Sequence, residues 1–298
     1  MNTDNQNLFK SGKVPLKNGE TLYVHVEGTG PALIMGHGMW LDHRCLSPLF
    51  PFLKEKFTII VPDFRGHGQS SYVNPVKNVN DFVEDLTLLI EHFKLEKVNF
   101  FGWCGGSSVA LKYASMNPGK VDKIAICSPP GLEGLPLFKP GKVKGEKIPI
   151  ESKEDLVNHP SLQLLSKAIK EKDRSTLEKI IEGVNFNLRK PPQEIIDSLV
   201  DQCLLAQNVE DIAWSAYTCN LTDRKKWVTE GTGAILKVQA KALLFYGEDD
   251  TLIPRFAIDQ YFDYLGDSIT FKLVKDGGHA VHLLYPKEVS EDVIKFLE

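Results

Sequence analysis

The apolar run Val98 to Phe101 is cut off by Gly102-Trp103-Cys104-Gly105-Gly106, after which Val109-Ala110-Leu111-Lys112-Tyr113-Ala114 reads as a helix. A buried strand that passes through glycines straight into a helix admits few folds. Gly-x-Cys-x-Gly has the spacing of a nucleophile elbow, with sulfur where serine usually stands. The requirement is steric. A reactive atom at the tip of a sharp strand-to-helix turn needs a strained backbone, and neighbours without Cβ let the chain turn that tightly. The following helix also turns free N–H groups and the positive end of its dipole toward the sulfur, which favours thiolate.

The rest of the chain supplies a setting for such a turn. Val14–Lys17 and Glu20–Val26 predict a β-hairpin, with Asn18-Gly19 as a two-residue primed turn. Ala32–Met35 is a short continuous apolar run and reads as a strand covered on both faces, Phe57–Val61 and Ala242–Tyr246 read as buried strands, and Val121–Cys127 and Thr270–Val274 as two more strands. Helical stretches alternate with them: around Ser47–Lys54, then Asn80–Phe93, where Phe82, Leu86, Leu89, Ile90 and Phe93 recur at three- and four-residue steps, and finally Pro286–Leu297. Alternation of this kind predicts an α/β fold with a mostly parallel sheet and helices on both faces. From about Pro129 to Gly233 the pattern changes. Proline and glycine are dense up to Pro149, no convincing buried strand appears, and Leu156–Lys170, Thr176–Gly183 and Pro192–Gln207 look helical. This segment reads as an inserted helical cap over the sheet, giving a core of residues 1–130 and 234–298 around a cap at 131–233.

Three reactive groups fall in loops directly after predicted strands: Cys104, Asp250 (or its neighbour Asp249) and His279. Strands of a parallel sheet share one carboxyl edge, so loops remote in sequence converge there. A thiol needs a base to take its proton, and the base needs a carboxylate to fix its tautomer and stabilise imidazolium. The order nucleophile, acid, histidine, together with His37-Gly38, Asp63-x-Arg65-Gly66-His67-Gly68-x-Ser70, Gly247-x-x-Asp250-x-x-x-Pro254 and Gly278-His279, resembles the α/β-hydrolase superfamily over nearly the whole chain. The lidded subgroup is the nearest in pattern. The resemblance favours Asp250 over Asp249 as the acid and implies an oxyanion hole from the backbone N–H groups of Met39 and Gly105. It departs from most of the superfamily at Cys104. Dienelactone hydrolases and a few thioesterase-like biosynthetic enzymes are similar in using cysteine, whereas haloalkane dehalogenases and epoxide hydrolases need a carboxylate there.

The expected activity is therefore acyl transfer on an ester, thioester or lactone through a thioester acyl-enzyme, as in an esterase or thioesterase. The alternatives are an acyltransferase or cyclase whose acceptor is not water, and a ligand-binding protein that keeps the fold without turnover. Trp40, Trp103, Phe138, Trp214, Tyr217 and Trp227 are candidates to line an apolar acyl pocket, Trp103 foremost because it adjoins the nucleophile. His37, His67 and the pair Asp63 and Arg65 are expected to brace loops, and His282 to pack. The pattern calls for no cofactor and no metal. The expected partner is a small-molecule acyl substrate, free or carrier-bound. A net charge of −4 without a Lys/Arg block argues against nucleic acid, and no apolar run is long enough to span a bilayer. A polar start without an apolar h-region, and five scattered cysteines lacking any Cys-x-x-Cys pair, lead to the expectation of a reduced, cytoplasmic protein.

Overall fold

Runs such as Ala32-Leu33-Ile34-Met35, apolar at every position, have no solvent side to offer. The computed structural model, which describes residues 10–141, 146–187 and 189–298, puts them in the middle of one eight-stranded sheet. Its strands are β1 (Gly12–Pro15), β2 (Thr21–Gly28), β3 (Ala32–Gly36), β4 (Thr58–Pro62), β5 (Val98–Trp103), β6 (Val121–Cys127), β9 (Lys241–Gly247) and β10 (Ile269–Val274), in the order β1-β2-β4-β3-β5-β6-β9-β10. The last six run parallel, and β1 and β2 add an antiparallel edge. The interior strands β3 and β5 are buried at every residue, while the edge strand β10 alternates partly covered and exposed positions.

The first hairpin forms, but not through a two-residue turn. Leu16 and Glu20 close the loop by a backbone bond of 2.7 Å, and a Leu16–Gly19 turn lies inside it. Of Asn18 and Gly19, only Gly19 has a positive φ, +91°. A primed turn needs left-handed backbone at both central positions, so the chain uses a three-residue loop with glycine at its last place.

Helices α1 (Phe50–Leu53), α2 (Val79–His92), α3 (Gly105–Met116), α9 (Arg255–Leu265), α10 (Val281–Leu284) and α11 (Pro286–Leu297) flank the sheet. A 3-10 turn at His43–Leu49 leads into α1, so the helical stretch predicted from Ser47 begins earlier. Helix α2 starts with a capping box, Asn78 and Asp81 each accepting the other's backbone N–H.

The 113 residues between β6 and β9 carry α4 (Lys153–Val157), α5 (Pro160–Glu171), α6 (Arg174–Asn185), α7 (Gln193–Cys203) and α8 (Val209–Tyr217). The single helix expected over 156–170 is two, because Pro160 cannot continue α4 and instead opens α5 under a His159 cap. Helices α8 and α9, which the sequence reading did not include, are also present. A small hairpin, β7 (Phe138–Pro140) with β8 (Lys147–Pro149), precedes these helices and stands apart from the main sheet. Leu165, Ile181, Leu199, Val200 and Cys203 from these helices share one continuous core with Met35, Phe101 and Trp103 of the sheet. Among the described residues no helix is long and apolar enough to cross a membrane.

Candidate active site

Cys104 follows β5 and precedes α3 with φ 49° and ψ −120°, a region that L-residues enter only at a cost of about 1–3 kcal/mol. The neighbouring glycines explain how the turn fits. A Cβ on Gly106 would lie 2.2 Å from the Gly36 carbonyl oxygen, and one on Gly102 would lie 2.6 Å from the Ser107 backbone. The turn is held by Cys104 N–H donating to Cys127 O (3.0 Å), Ser107 N–H donating to Cys104 O (2.9 Å) and Ser107 Oγ donating to Gly102 O (2.8 Å). Cys104 is 4% exposed.

Asp250 and His279 arrive from the loops after β9 and β10. His279 Nδ1 lies 2.9 Å from Asp250 Oδ2, while Asp250 Oδ1 accepts the Leu252 and Ile253 N–H groups, each at 2.9 Å. Both oxygens of the carboxylate are thus assigned, and of the two neighbouring aspartates it is Asp250 that meets the ring. Asp249 is only partly buried and contributes backbone bonds, including its carbonyl to Asn187. His279 is 2% exposed. Burial opposes its protonation, but the charge of Asp250, its hydrogen bond to the ring and the nearness of Cys104 outweigh that cost and lift its pKa to about 10. Its Nε2 is buried without a hydrogen bond. Cys104 nonetheless lies near enough to the ring to favour its protonated form.

Met39 and Gly105 stand side by side. The Met39 nitrogen is 3.9 Å, and its Cγ 3.1 Å, from the position a Gly105 Cβ would take. Gly105 begins α3, so its N–H has no partner within the helix. His37 fixes the Met39 loop: Nδ1 bonds the Gly38 carbonyl at 2.7 Å, and Nε2 accepts the Phe64 N–H at 2.9 Å.

The remaining polar candidates divide differently from expectation. Arg65 does not pair with Asp63. It forks onto Asp85 of α2, at 2.6 and 2.5 Å, and Asp63 instead receives His43 Nδ1 (2.8 Å) and the backbone N–H groups of His43 and Gln69. Both still brace loops, each with another partner. Asp42, His43 and Asp63 bring ligand atoms within 4.8 Å of one another, but Arg44 occupies Asp42 and the contacts just named occupy Asp63. That set is a closed hydrogen-bond cluster rather than a cradle for a cation. His282 packs 4.5 Å from the Trp103 ring.

A cavity of about 80 Å³ opens at Cys104, walled by Met39, Trp40, Leu41, Trp103, Leu165, Ile181, Cys203 and Leu252. Trp103 also donates its Nε1–H to His279 O at 3.1 Å, tying the wall to the loop that carries the imidazole. The other aromatic candidates stand elsewhere. Phe138, Trp227, Tyr217 and Trp214 form one run of ring contacts, the first pair edge-on and the others stacked, with centroid separations of 5.3 to 6.1 Å, and none of the four walls this cavity. Their rings serve the core of the inserted segment, with the Tyr217 hydroxyl bonded to Ile150 O.

The C-terminal end of α6 meets the imidazole loop directly, Ala280 N–H donating to Asn185 O at 3.0 Å. The sequence reading missed this contact, and also Leu165, Ile181, Leu252 and Cys203 as cavity walls. The helical periodicity of the inserted segment was visible, but which of its faces looks down on Cys104 is a tertiary fact.

Sheet order, elbow and histidine loop agree on one class: the chain belongs to the α/β hydrolase fold family, whose profile matches residues 31–286. A serine hydrolase-like protein of Mus musculus is 25% identical over 285 residues, covering 90% of this chain and 88% of that one. An uncharacterized protein of Mycobacterium tuberculosis is 29% identical over 107 residues, so the match spans 36% of this chain and 31% of that relative's length. Among solved structures, an esterase from Exiguobacterium antarcticum superposes with a TM-score of 0.75 at 18% identity, covering 97% of this chain and 99% of that one, a likeness of fold.

Proposed function

We propose that the protein is an acyl-transferring hydrolase of the esterase or thioesterase kind, with Cys104 as nucleophile, His279 as base and Asp250 as its orienting acid. The observation that carries the reading is the ion-paired His279–Asp250 couple, with a free Nε2, set beside a sulfur held on a strained turn. In the first half-reaction His279 Nε2 takes the Cys104 proton, the sulfur bonds to the substrate carbonyl carbon and the carbonyl electrons move onto oxygen. The Met39 and Gly105 N–H groups receive that oxyanion in a water-poor site, commonly the largest catalytic contribution. Collapse expels the alcohol or thiol, which takes its proton from His279 Nε2. Neutral His279 then takes a proton from water, whose oxygen attacks the thioester. The acid leaves and the thiolate is restored.

A second reading, transfer to an acceptor other than water, draws support from the same enclosure. Cys104 and His279 are almost wholly buried beneath the inserted helices, and a thioester kept from water is a good donor to amines. The test is intact-mass and peptide mapping after exposure to activated esters and acyl thioesters, with and without amine acceptors. An acyl adduct is expected on Cys104, and Cys104→Ala should lose turnover by several orders of magnitude while remaining folded. Near-normal turnover by Cys104→Ala would overturn the assignment. Free acid under every acceptor offered would exclude the transfer reading.

A further inference from the structure

Beside the cavity at Cys104 lies a second and smaller one, about 30 Å³. The two share Gly38 and Met39 in their walls, and the smaller continues to Gly105, Phe64, His67, Phe82, Ser108 and Cys219. Met39 thus borders both, and its Cγ lies 3.1 Å from the position a Cβ would take on Gly105, the residue after Cys104.

The small chamber is mostly apolar, its polar side chains being the Ser108 and Ser215 hydroxyls, the Cys219 thiol and the His37 and His67 rings. His67 is 2% exposed, and its Nδ1 lies 3.0 Å from the Arg65 carbonyl oxygen. A carbonyl only accepts, so Nδ1 carries the ring proton and Nε2 is left with a lone pair. Burial beside His37 keeps the ring neutral, its pKa pressed down to about 3. That Nε2 is buried and has no hydrogen bond. Leaving such a group unpaired is costly and calls for an explanation. Only two ring nitrogens among the described residues stand in this condition, and the other is His279 Nε2, which the reading above uses for proton transfer.

We propose that the chamber walled by His67 is a substrate subsite, taking the tip of one arm that passes Met39 and donates a hydrogen bond from an uncharged hydroxyl to His67 Nε2. An anionic tip would meet the lone pair of that acceptor, and the described walls hold neither a carboxylate, a lysine nor an arginine to pair with a charged tip. A site built to bond a hydroxyl rejects the analogue lacking it, because its own buried group stays unpaired. The volume limits the tip to about two water-sized groups, at roughly 10–15 Å³ each.

The proposal names a substrate feature for the acyl-enzyme reading and rests on it, so its test is made by binding rather than turnover. Full-length Cys104→Ala protein is titrated calorimetrically with alkanamides of three to eight carbons. Matched ω-hydroxy amides are compared, with the hydroxyl on either the acyl or the amine side. The hydroxy compound of the best-fitting pair should bind roughly tenfold tighter, and His67→Leu should remove that difference. Because His67→Leu also loses the bond to Arg65 O, the 15N shift of His67 Nε2 is followed in the Cys104→Ala protein with His67 intact. Addition of the hydroxy ligand should move it as the nitrogen accepts a bond. Equal affinities throughout, a preference that survives His67→Leu, or an Nε2 shift already displaced by water and indifferent to ligand would each overturn the proposal. Acylation of Cys104 by an activated ester in the wild-type chain is scored separately. Its failure would strike the acyl-enzyme reading and leave a measured hydroxyl preference standing.

Discussion

Replacing Asp250 with asparagine changes one atom in the centre of the site and tests the chain of argument most sharply. The amide oxygen can stay where Oδ1 accepts the Leu252 and Ile253 N–H groups, so the loop keeps its shape. The amide nitrogen then faces His279 Nδ1, where Oδ2 now lies 2.9 Å away. Two donors cannot share that bond, so the ring must move its proton to Nε2, the atom that has to be bare to receive one. The carboxylate's charge is lost as well. It is the foremost influence lifting His279 to about 10 against burial, and without it the ring falls back toward or below its ordinary value near 6.5. Each pKa unit is worth about 1.36 kcal/mol. A drop of roughly three units therefore removes about 4 kcal/mol of preference for imidazolium, or about a 10³-fold effect. We expect kcat/KM on a p-nitrophenyl ester to fall by about 10³ to 10⁴, with the thermal midpoint nearly unchanged. Asp249→Asn, on the same loop but outside the bond, serves as the control. A loss under tenfold in a folded Asp250→Asn protein would refute the assignment of the acid and the tautomer argument with it.

The elbow trades stability for position, so Cys104→Gly should relieve its positive φ and raise the thermal midpoint by a few degrees, while abolishing turnover; a lower midpoint in calorimetry would contradict the strain. Gly106→Ala places a methyl 2.2 Å from the Gly36 oxygen, and should cost more than about 3 kcal/mol in urea unfolding or leave the protein insoluble. His67 and His282 are buried neutral with pKa values near 3, burial being the first cause in each. Between pH 6.5 and 3 the unfolded chain binds protons that the native state refuses, so each should cost about 1.4 kcal/mol per pH unit as pH falls through that window. His279, raised to about 10, has the opposite sign: its contribution is complete below pH 6.5 and is lost as pH rises toward 10. Urea midpoints measured from pH 4 to 10 should accordingly peak near 6.5, and a flat profile between 6.5 and 5 would count against the buried neutral histidines.

The parts legible in the sequence were those whose chemistry is local. The strand–glycine–cysteine–helix run names its own turn, and loops after parallel strands have only one edge on which to gather. The Asp63-x-Arg65 spacing suggested a pair because the residues are close along the chain. In space Arg65 reaches Asp85, which α2 brings over the loop, and proximity in sequence says nothing of that. Phe138, Trp214 and Tyr217 misled for a related reason: an aromatic ring in a helical insertion satisfies its own core as readily as a pocket, and periodicity does not say which face looks inward. His67 was read as a brace for its loop, which Nδ1 is. The idle nitrogen across the ring appears only when every neighbour has been placed.

One backbone bond, from Ala280 N–H to Asn185 O, has a mechanical reach beyond its 3.0 Å. It staples the roof helix to the segment bearing the imidazole, one residue from the clasp between Trp103 and that same segment. If His279 is the base, as proposed, lifting that helix would draw the ring off its mark, so an opened molecule would also be a disarmed one until it closed.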